Sequence, residues 1–194
     1  TVWYTMQIGA SQHIISDNGT ADKISLQTSK TDLEAADLWC FVGNAESGYK
    51  IYNKQAGATK VLASSTTMKQ LSGYGGTGGA TYPTLQPEAS LPSGYVGAWD
   101  LQVSDMLADT EGYFLILHGT QYAVNNFGNV GNLAFWAEGK DAGSTVTLVG
   151  VSGLDGLDFH AHLLHDFDAV GEAECDALLC GAQHVCLLVD VEVD

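Results

Sequence analysis

Arginine is missing from this chain; its seven basic side chains are all lysines, set against 23 acidic groups for a formal charge of -16. Without a guanidinium there is no planar fork to clamp a carboxylate or phosphate. A field of this sign also repels nucleic-acid backbones and acidic membrane surfaces. Nucleic acid is therefore excluded as a partner, and recognition through an anionic ligand group is disfavoured. No stretch approaches the ~18 consecutive apolar residues of a membrane-spanning helix, so no membrane insertion is expected. The four cysteines, Cys40, Cys175, Cys180 and Cys186, are too unevenly spread for a disulfide framework. Catalytic signatures are lacking as well. There is no nucleophile elbow and no His-Glu-x-x-His, and the acids Asp100, Asp105, Asp109 and Glu111 gather as exposed turns gather them. Gly73-x-Gly75-x-x-Gly78 spells a dinucleotide fingerprint, but no strand feeds it and no helix follows it. The expectation is a protein that is not an enzyme and needs no cofactor.

What the chain does have is glycine, 23 residues of it against three prolines, among Ser, Thr, Asn and β-branched residues. That mixture favours short strands and tight turns. Leu38-Trp39-Cys40-Phe41-Val42-Gly43, a polar turn, and Gly48-Tyr49-Lys50-Ile51-Tyr52-Asn53 read as a β-hairpin. The phrase returns at Ala98-Trp99-Asp100-Leu101-Gln102-Val103 with Gly112-Tyr113-Phe114-Leu115-Ile116-Leu117. A weaker copy is Leu133-Ala134-Phe135-Trp136, a glycine-containing turn and Ser144-Thr145-Val146-Thr147-Leu148-Val149. Three hairpins of one design predict a threefold repeat with Trp39, Trp99 and Trp136 at equivalent places, most simply as a ring of core residues. Strands are expected at 2–8, 13–16, 23–27 and around Trp39, with Lys60-Val61-Leu62-Ala63 as the second strand of the second repeat. Residues 68–99 read as an enlarged loop inserted in that repeat. The strand at 144–149 is expected to close a barrel by pairing back toward Val2 to Met6.

After residue 151 the character changes. Residues 152–194 hold ten acidic groups, no lysine, four of the six histidines and three of the four cysteines. The division is accordingly a domain at 1–151 and an acidic tail at 152–194, either appended or foreign to the module. His160, His162, His165, Cys175, Cys180, His184 and Cys186 supply soft-metal donors, but their spacing matches no standard finger. A solvated acidic segment is the simpler reading, and no metal is assigned. The opening Val2-Trp3-Tyr4-Thr5-Met6, preceded by Thr1 rather than an initiator Met, reads as a mature or excised form.

The phrases at Trp39 to Lys54 and at Leu133 to Thr145 together resemble the ricin-type β-trefoil. The likeness is to the lectin-like modules attached to secreted glycan-degrading enzymes of Bacteroidetes, sialidases among them. The resemblance spans roughly residues 2–150. It implies an all-β fold of three four-stranded pseudo-symmetric lobes and a non-catalytic carbohydrate-binding role. It further implies a glycan as partner, a bacterial secreted or cell-surface location, and a monomer or one part of a larger multidomain chain. The clean Gln-x-Trp triplets of ricin are not present; the tryptophans stand in Asp37-Leu38-Trp39, Gly97-Ala98-Trp99 and Ala134-Phe135-Trp136.

A neutral sugar is held by an aromatic face beneath its C–H groups and by amides or carboxylates on its hydroxyls. Tyr122, Asn125, Asn126, Phe127 and Asn129, with His118 upstream, concentrate such groups in the third repeat. His13, Asp17 and Asn18 are the counterparts in the first, and Ser64 and Ser65 replace the amides in the second. Tyr74, Tyr82 and Tyr95 in the glycine-rich stretch offer further stacking faces. The competing reading is that Tyr122 packs in the core while Asn125 and Asn126 cap a turn. Two other functions stay open, a protein-interaction or adhesion module on the same fold and metal binding by the tail.

Overall fold

The computed structural model describes residues 2–20, 23–28, 30–67, 69, 80–126, 131–136 and 141–151. Tyr74, Phe127, Asn129 and all the His and Cys candidates of the tail lie outside the described residues.

Alternation of apolar and polar residues between glycine turns produces strands throughout. The first lobe contains β1 (Trp3–Ile8), β2 (His13–Asp17), β3 (Ile24–Gln27) and β4 (Leu38–Asn44). The second contains β5 (Gly48–Asn53), β6 (Lys60–Ser65), β7 (Thr84–Pro87), a short β8 (Tyr95–Val96) and β9 (Trp99–Ser104). The third contains β10 (Gly112–Leu117), β11 (Ala123–Asn125), β12 (Ala134–Trp136) and β13 (Thr145–Val151).

In each lobe the first strand pairs antiparallel with the last, through Tyr4 opposite Trp39, Tyr49 opposite Trp99 and Tyr113 opposite Val146. Each last strand then pairs with the first strand of the next lobe, β4 with β5, β9 with β10 and β13 with β1. Six strands thereby close into a ring with no free edge, which removes the unpaired backbone that an open sheet would expose. The hairpins β2–β3, β6–β7 and β11–β12 complete the lobes. One backbone hydrogen bond recurs three times just past the first strands: Gly9 N to Thr145 O at 3.0 Å, Lys54 N to Leu38 O at 2.9 Å and His118 N to Ala98 O at 3.0 Å. This is a β-trefoil, as the sequence leads one to expect.

The register corrects two expectations. Trp136 is not equivalent to Trp39 and Trp99, because it lies on the third strand of its lobe, opposite Ala123, and the equivalent position on the fourth strand is Val146. Trp39 and Trp99 are fully buried. Their indole N–H groups donate to Ile15 O at 2.9 Å and Leu62 O at 2.8 Å, clamping the second strands of their lobes. In the third lobe the volume is redistributed. The smaller Val146 is offset by Phe135, which stands where the other lobes have Leu26 and Leu85 and stacks on Trp99 with centroids 6.0 Å apart. The hairpin phrase is thus repeated only twice; its weaker copy spans a third strand and a fourth. Residues 68–99 are not all loop either, since β7 and β8 fall inside that range. Lys69 and Thr81 exchange hydrogen bonds of 2.9 Å at its neck.

The central core gathers Met6, Ile8, Ile15, Ile51, Leu62, Leu115, Leu117 and Val124 around the two tryptophans. A second cluster on the outer barrel face joins Trp3, Leu38, Cys40, Tyr52 and Val61. Burial pushes the Cys40 thiol up to about 12, so it behaves as a packed apolar group. Tyr52 leaves this cluster at its hydroxyl, which donates to Glu88 Oε2 at 2.6 Å, while Lys50 Nζ donates to Glu88 Oε1. Burial, then Glu88, raises the Tyr52 phenol. Burial would raise Glu88 too, but the hydrogen bonds from Lys50 and Tyr52 outweigh it and hold the carboxyl below its ordinary 4.5.

Two outcomes follow from these contacts. Trp39→Phe leaves Ile15 O buried without its donor and should cost about 1–3 kcal/mol in urea unfolding, with the m-value unchanged. A carboxyl whose folded pKa is depressed contributes stability that is complete above 4.5 and is lost as the pH falls through the folded value. Glu88→Gln should therefore show a shallower loss of stability than the parent when unfolding is measured at steps below pH 4.5.

A candidate binding site on the third lobe

The β11–β12 hairpin pairs Ala123 with Trp136, Val124 with Phe135 and Asn125 with Ala134. Side chains alternate across a strand, so two faces result. Val124 and Phe135 belong to the central core. Ala123, Asn125, Ala134 and Trp136 share the opposite, outer face. Trp136 and Asn125 stand diagonally on it, about 7–8 Å apart, with only alanines at the other two corners.

Asn125 is 3% exposed and its amide is fully engaged, Nδ2 donating to Asp141 Oδ1 at 3.0 Å and to Ser144 Oγ at 2.9 Å. Ser144 is buried at the end of a single 3-10 turn, Ala142–Ser144, that leads into β13, whereas Asp141 is exposed at its start. The asparagine consequently orients a carboxylate that solvent reaches. Asn126 fixes the turn from the other side. Its N–H donates to Gly143 O at 3.0 Å, and a Cβ at Gly9 or Gly143 would stand 2.3 or 2.6 Å from its carboxamide. A side chain at either position would have to displace that carboxamide, and at Gly9 the backbone φ of +80° favours glycine as well.

The remaining sequence candidates are dispersed. Tyr122 is half-buried against the central core. His118 meets Asp100, Nδ1 to Oδ1 at 2.7 Å, with its ring lying over Gly48. Successive registers set Trp136, Ala123, Ile116 and Asp100 in one row across β12, β11, β10 and β9, so the His118–Asp100 pair is three strands from Trp136. In the first lobe Asp17 is buried, accepting from Gly19 N at 2.9 Å and Gln55 Nε2 at 3.2 Å. Asn18 is exposed and closes its turn through Thr20 N at 2.9 Å and Thr20 Oγ1 at 2.7 Å. Buried His13 lies 3.4 Å from Ser11 Oγ. Tyr95 is in β8 opposite Ser65, and Tyr82 has Lys23 Nζ 4.6 Å from its ring centroid. Asp141 and Ser144 were not among the sequence candidates, and Trp136, considered as a stacking platform, was assigned with Trp39 and Trp99 to a ring of core residues. The alternation of Ser144 to Val149, read as a fourth strand instead of a closing addition, is the signal that points to them.

The hairpin face is buried at Ala123, Asn125 and Ala134, so what the partly exposed Trp136 and the exposed Asp141 offer at its margins is an indole and an oriented carboxylate, which suit a ligand that has both an apolar face and hydroxyl donors. Among the described residues no group of three or more His, Cys, Asp or Glu side chains could hold a metal ion.

No family profile and no curated protein matches the chain in sequence. Solved structures do match in shape. The designed threefold-symmetric protein ThreeFoil superposes with a TM-score of 0.54 at 15% identity, covering 77% of this chain and 99% of that one. The Macrolepiota procera ricin B-like lectin, solved in complex with lactose, gives 0.56 at 10% identity over 75% and 93%. A GlcNAcα1-4Gal-releasing endo-β-galactosidase from Clostridium perfringens gives 0.52 at 13% identity, over 77% of this chain and 32% of that larger one. These likenesses establish the β-trefoil fold.

Asn125→Ala removes the buried Nδ2 bonds to Asp141 Oδ1 and Ser144 Oγ and leaves a cavity where the amide stood. Chemical unfolding should register a loss of about 1–3 kcal/mol.

Proposed function

We propose that the protein is a non-catalytic carbohydrate-binding module that holds a neutral saccharide on the outer face of its third lobe. The observation that carries this reading is that Asn125, on the same hairpin face as Trp136, donates to the exposed carboxylate of Asp141. In this reading the indole meets sugar C–H groups, and the Asp141 carboxylate, held by Asn125 Nδ2, accepts hydrogen bonds from sugar hydroxyls. In this reading Trp136 and Asp141 touch the ligand while Asn125 and Ser144 are positioning residues. The lactose complex of the lectin that shares the fold supports the ligand class. The endo-β-galactosidase, of which the matched part is 32%, supports a role as one part of a larger glycan-degrading enzyme. Single sites of this kind are weak, and tethering raises the local concentration of a catalytic partner near glycan.

An adhesion module on the same fold is the alternative. One observation favours it: Val103 and Met106 are large apolar side chains left 66% and 46% exposed at the β9–β10 end of the barrel.

Calorimetric titration with galactose, lactose, N-acetylglucosamine and cellobiose tests the saccharide reading. Trp136→Ala should weaken whichever sugar binds at least tenfold, about 1.4 kcal/mol, in a protein whose folded state is verified by circular dichroism at the titration temperature. A folded parent protein that binds none of the four sugars and no glycan on an array overturns it.

A further inference from the structure

We infer that the β9–β10 turn is a docking surface for a protein segment that carries apolar side chains among lysines or arginines. The saccharide reading is not needed for this surface, which gives the adhesion alternative a place and a partner chemistry.

The turns that join one lobe to the next are not alike. β4 and β5 are joined by residues 45–47, whereas β9 and β10 are joined by the longer 105–111. Exposed Met106 stands in this longer turn. Val103, just before it on β9, is 66% exposed, the most of any large apolar side chain among the described residues. Val103 is opposite Tyr113, and the equivalent positions opposite Tyr49 and Tyr4 are Gly43 and Gly150. A place that needs no side chain at two junctions therefore carries one at the third, where it stays in water. Exposure of this kind contributes nothing to folding, and apolar groups rimmed by polar ones mark interaction surfaces.

The rim is acidic. Asp105, Asp109 and Glu111 are exposed, and among the described residues none of them meets a lysine. Elsewhere carboxylates are neutralised, Glu34 and Asp37 by Lys30 and Glu88 by Lys50. Glu111 lies close enough to Tyr113 to raise its phenol further, after burial has already raised it. Cations on a partner would relieve the repulsion within the turn. A second copy of the chain would instead bring like charges together, and an acidic segment would do the same.

The turn is also set in advance. Ser104 Oγ and Thr145 Oγ1 lie 2.7 Å apart, and Met106 N donates to Ser104 Oγ at 3.3 Å. Gly112 closes the base, where a Cβ would stand 2.5 Å from Thr145 Cγ2. A partner then has little of this surface to order, which lowers the cost of binding.

The test uses three synthetic peptides of equal length: an amphipathic leucine–lysine peptide, its leucine–glutamate counterpart and oligolysine. Each is titrated by calorimetry into the full chain and into variants whose folding is verified by circular dichroism. The leucine–lysine peptide should bind the parent, and oligolysine and the leucine–glutamate peptide should bind it less tightly. Val103→Ser with Met106→Ser, and Asp105→Asn with Asp109→Asn and Glu111→Gln, should each weaken the leucine–lysine peptide about tenfold. Leu33→Ser and Asp32→Asn, which alter an exposed apolar group and an exposed acid elsewhere, should leave it unchanged. Absence of binding, equal affinity for either other peptide, or equal weakening by the Leu33 and Asp32 variants overturns the docking surface. So does a parent that sediments as a dimer and becomes monomeric on Val103→Ser with Met106→Ser. None of these outcomes bears on the sugar titration, so the two readings fail separately.

Discussion

The register between β1 and β13, from Trp3 opposite Val151 to Ile8 opposite Val146, converts a run of hairpins into a ring. Without it the first and last strands would each present a row of unpaired amides and carbonyls. With it, every barrel strand has two neighbours and one side of each faces a common interior. The threefold hydrogen bond from Gly9, Lys54 and His118 shows how closely the three junctions follow one backbone plan. Side chains then differ freely between junctions, because the plan is met by main-chain groups.

That freedom is visible at the position just before the fourth strand. Ser16 with Asp37, Ala63 with Gly97, and Asn125 with Ser144 are three chemical answers to one geometric place: an ion-paired carboxylate, an apolar contact and a neutral amide–hydroxyl bond. A buried polar group requires a partner whichever answer is used. The neighbouring carboxylates differ as well, Glu34 being exposed and paired with Lys30 at 3.0 Å while Asp141 is exposed and held by the Asn125 amide at 3.0 Å.

The strands of the first lobe, the fully buried Trp39 and Trp99, and barrel closure by residues 144–149 were all legible from period-two alternation and glycine turns. The third lobe was misaligned because Trp136 followed by a turn imitates the Trp39 hairpin locally. Only the pairing partner distinguishes a third strand from a fourth, and pairing is a long-range property. In the second lobe, three prolines and a glycine run masked β7, whose residues Thr84–Pro87 are held by partners in β6 more than by their own propensity. Asn125 was found as a polar residue near a candidate site, but its burial and its commitment to Asp141 depend on a turn that sequence spacing does not place.

Substituting Val146 for a tryptophan also redistributes rigidity. In the first two lobes an indole donor reaches from the fourth strand to the second and ties each hairpin to the barrel. In the third the link between β11 and the start of β13 is the Asn125–Ser144 bond and the glycine-lined slot around Asn126. Opening of a protein is local, and it begins where backbone groups are secured by the fewest buried contacts. The hairpin bearing Trp136 is therefore tied to the barrel by an amide–hydroxyl bond where the other two are tied by an indole, so a ligand bound as proposed would bear on a link of a different kind.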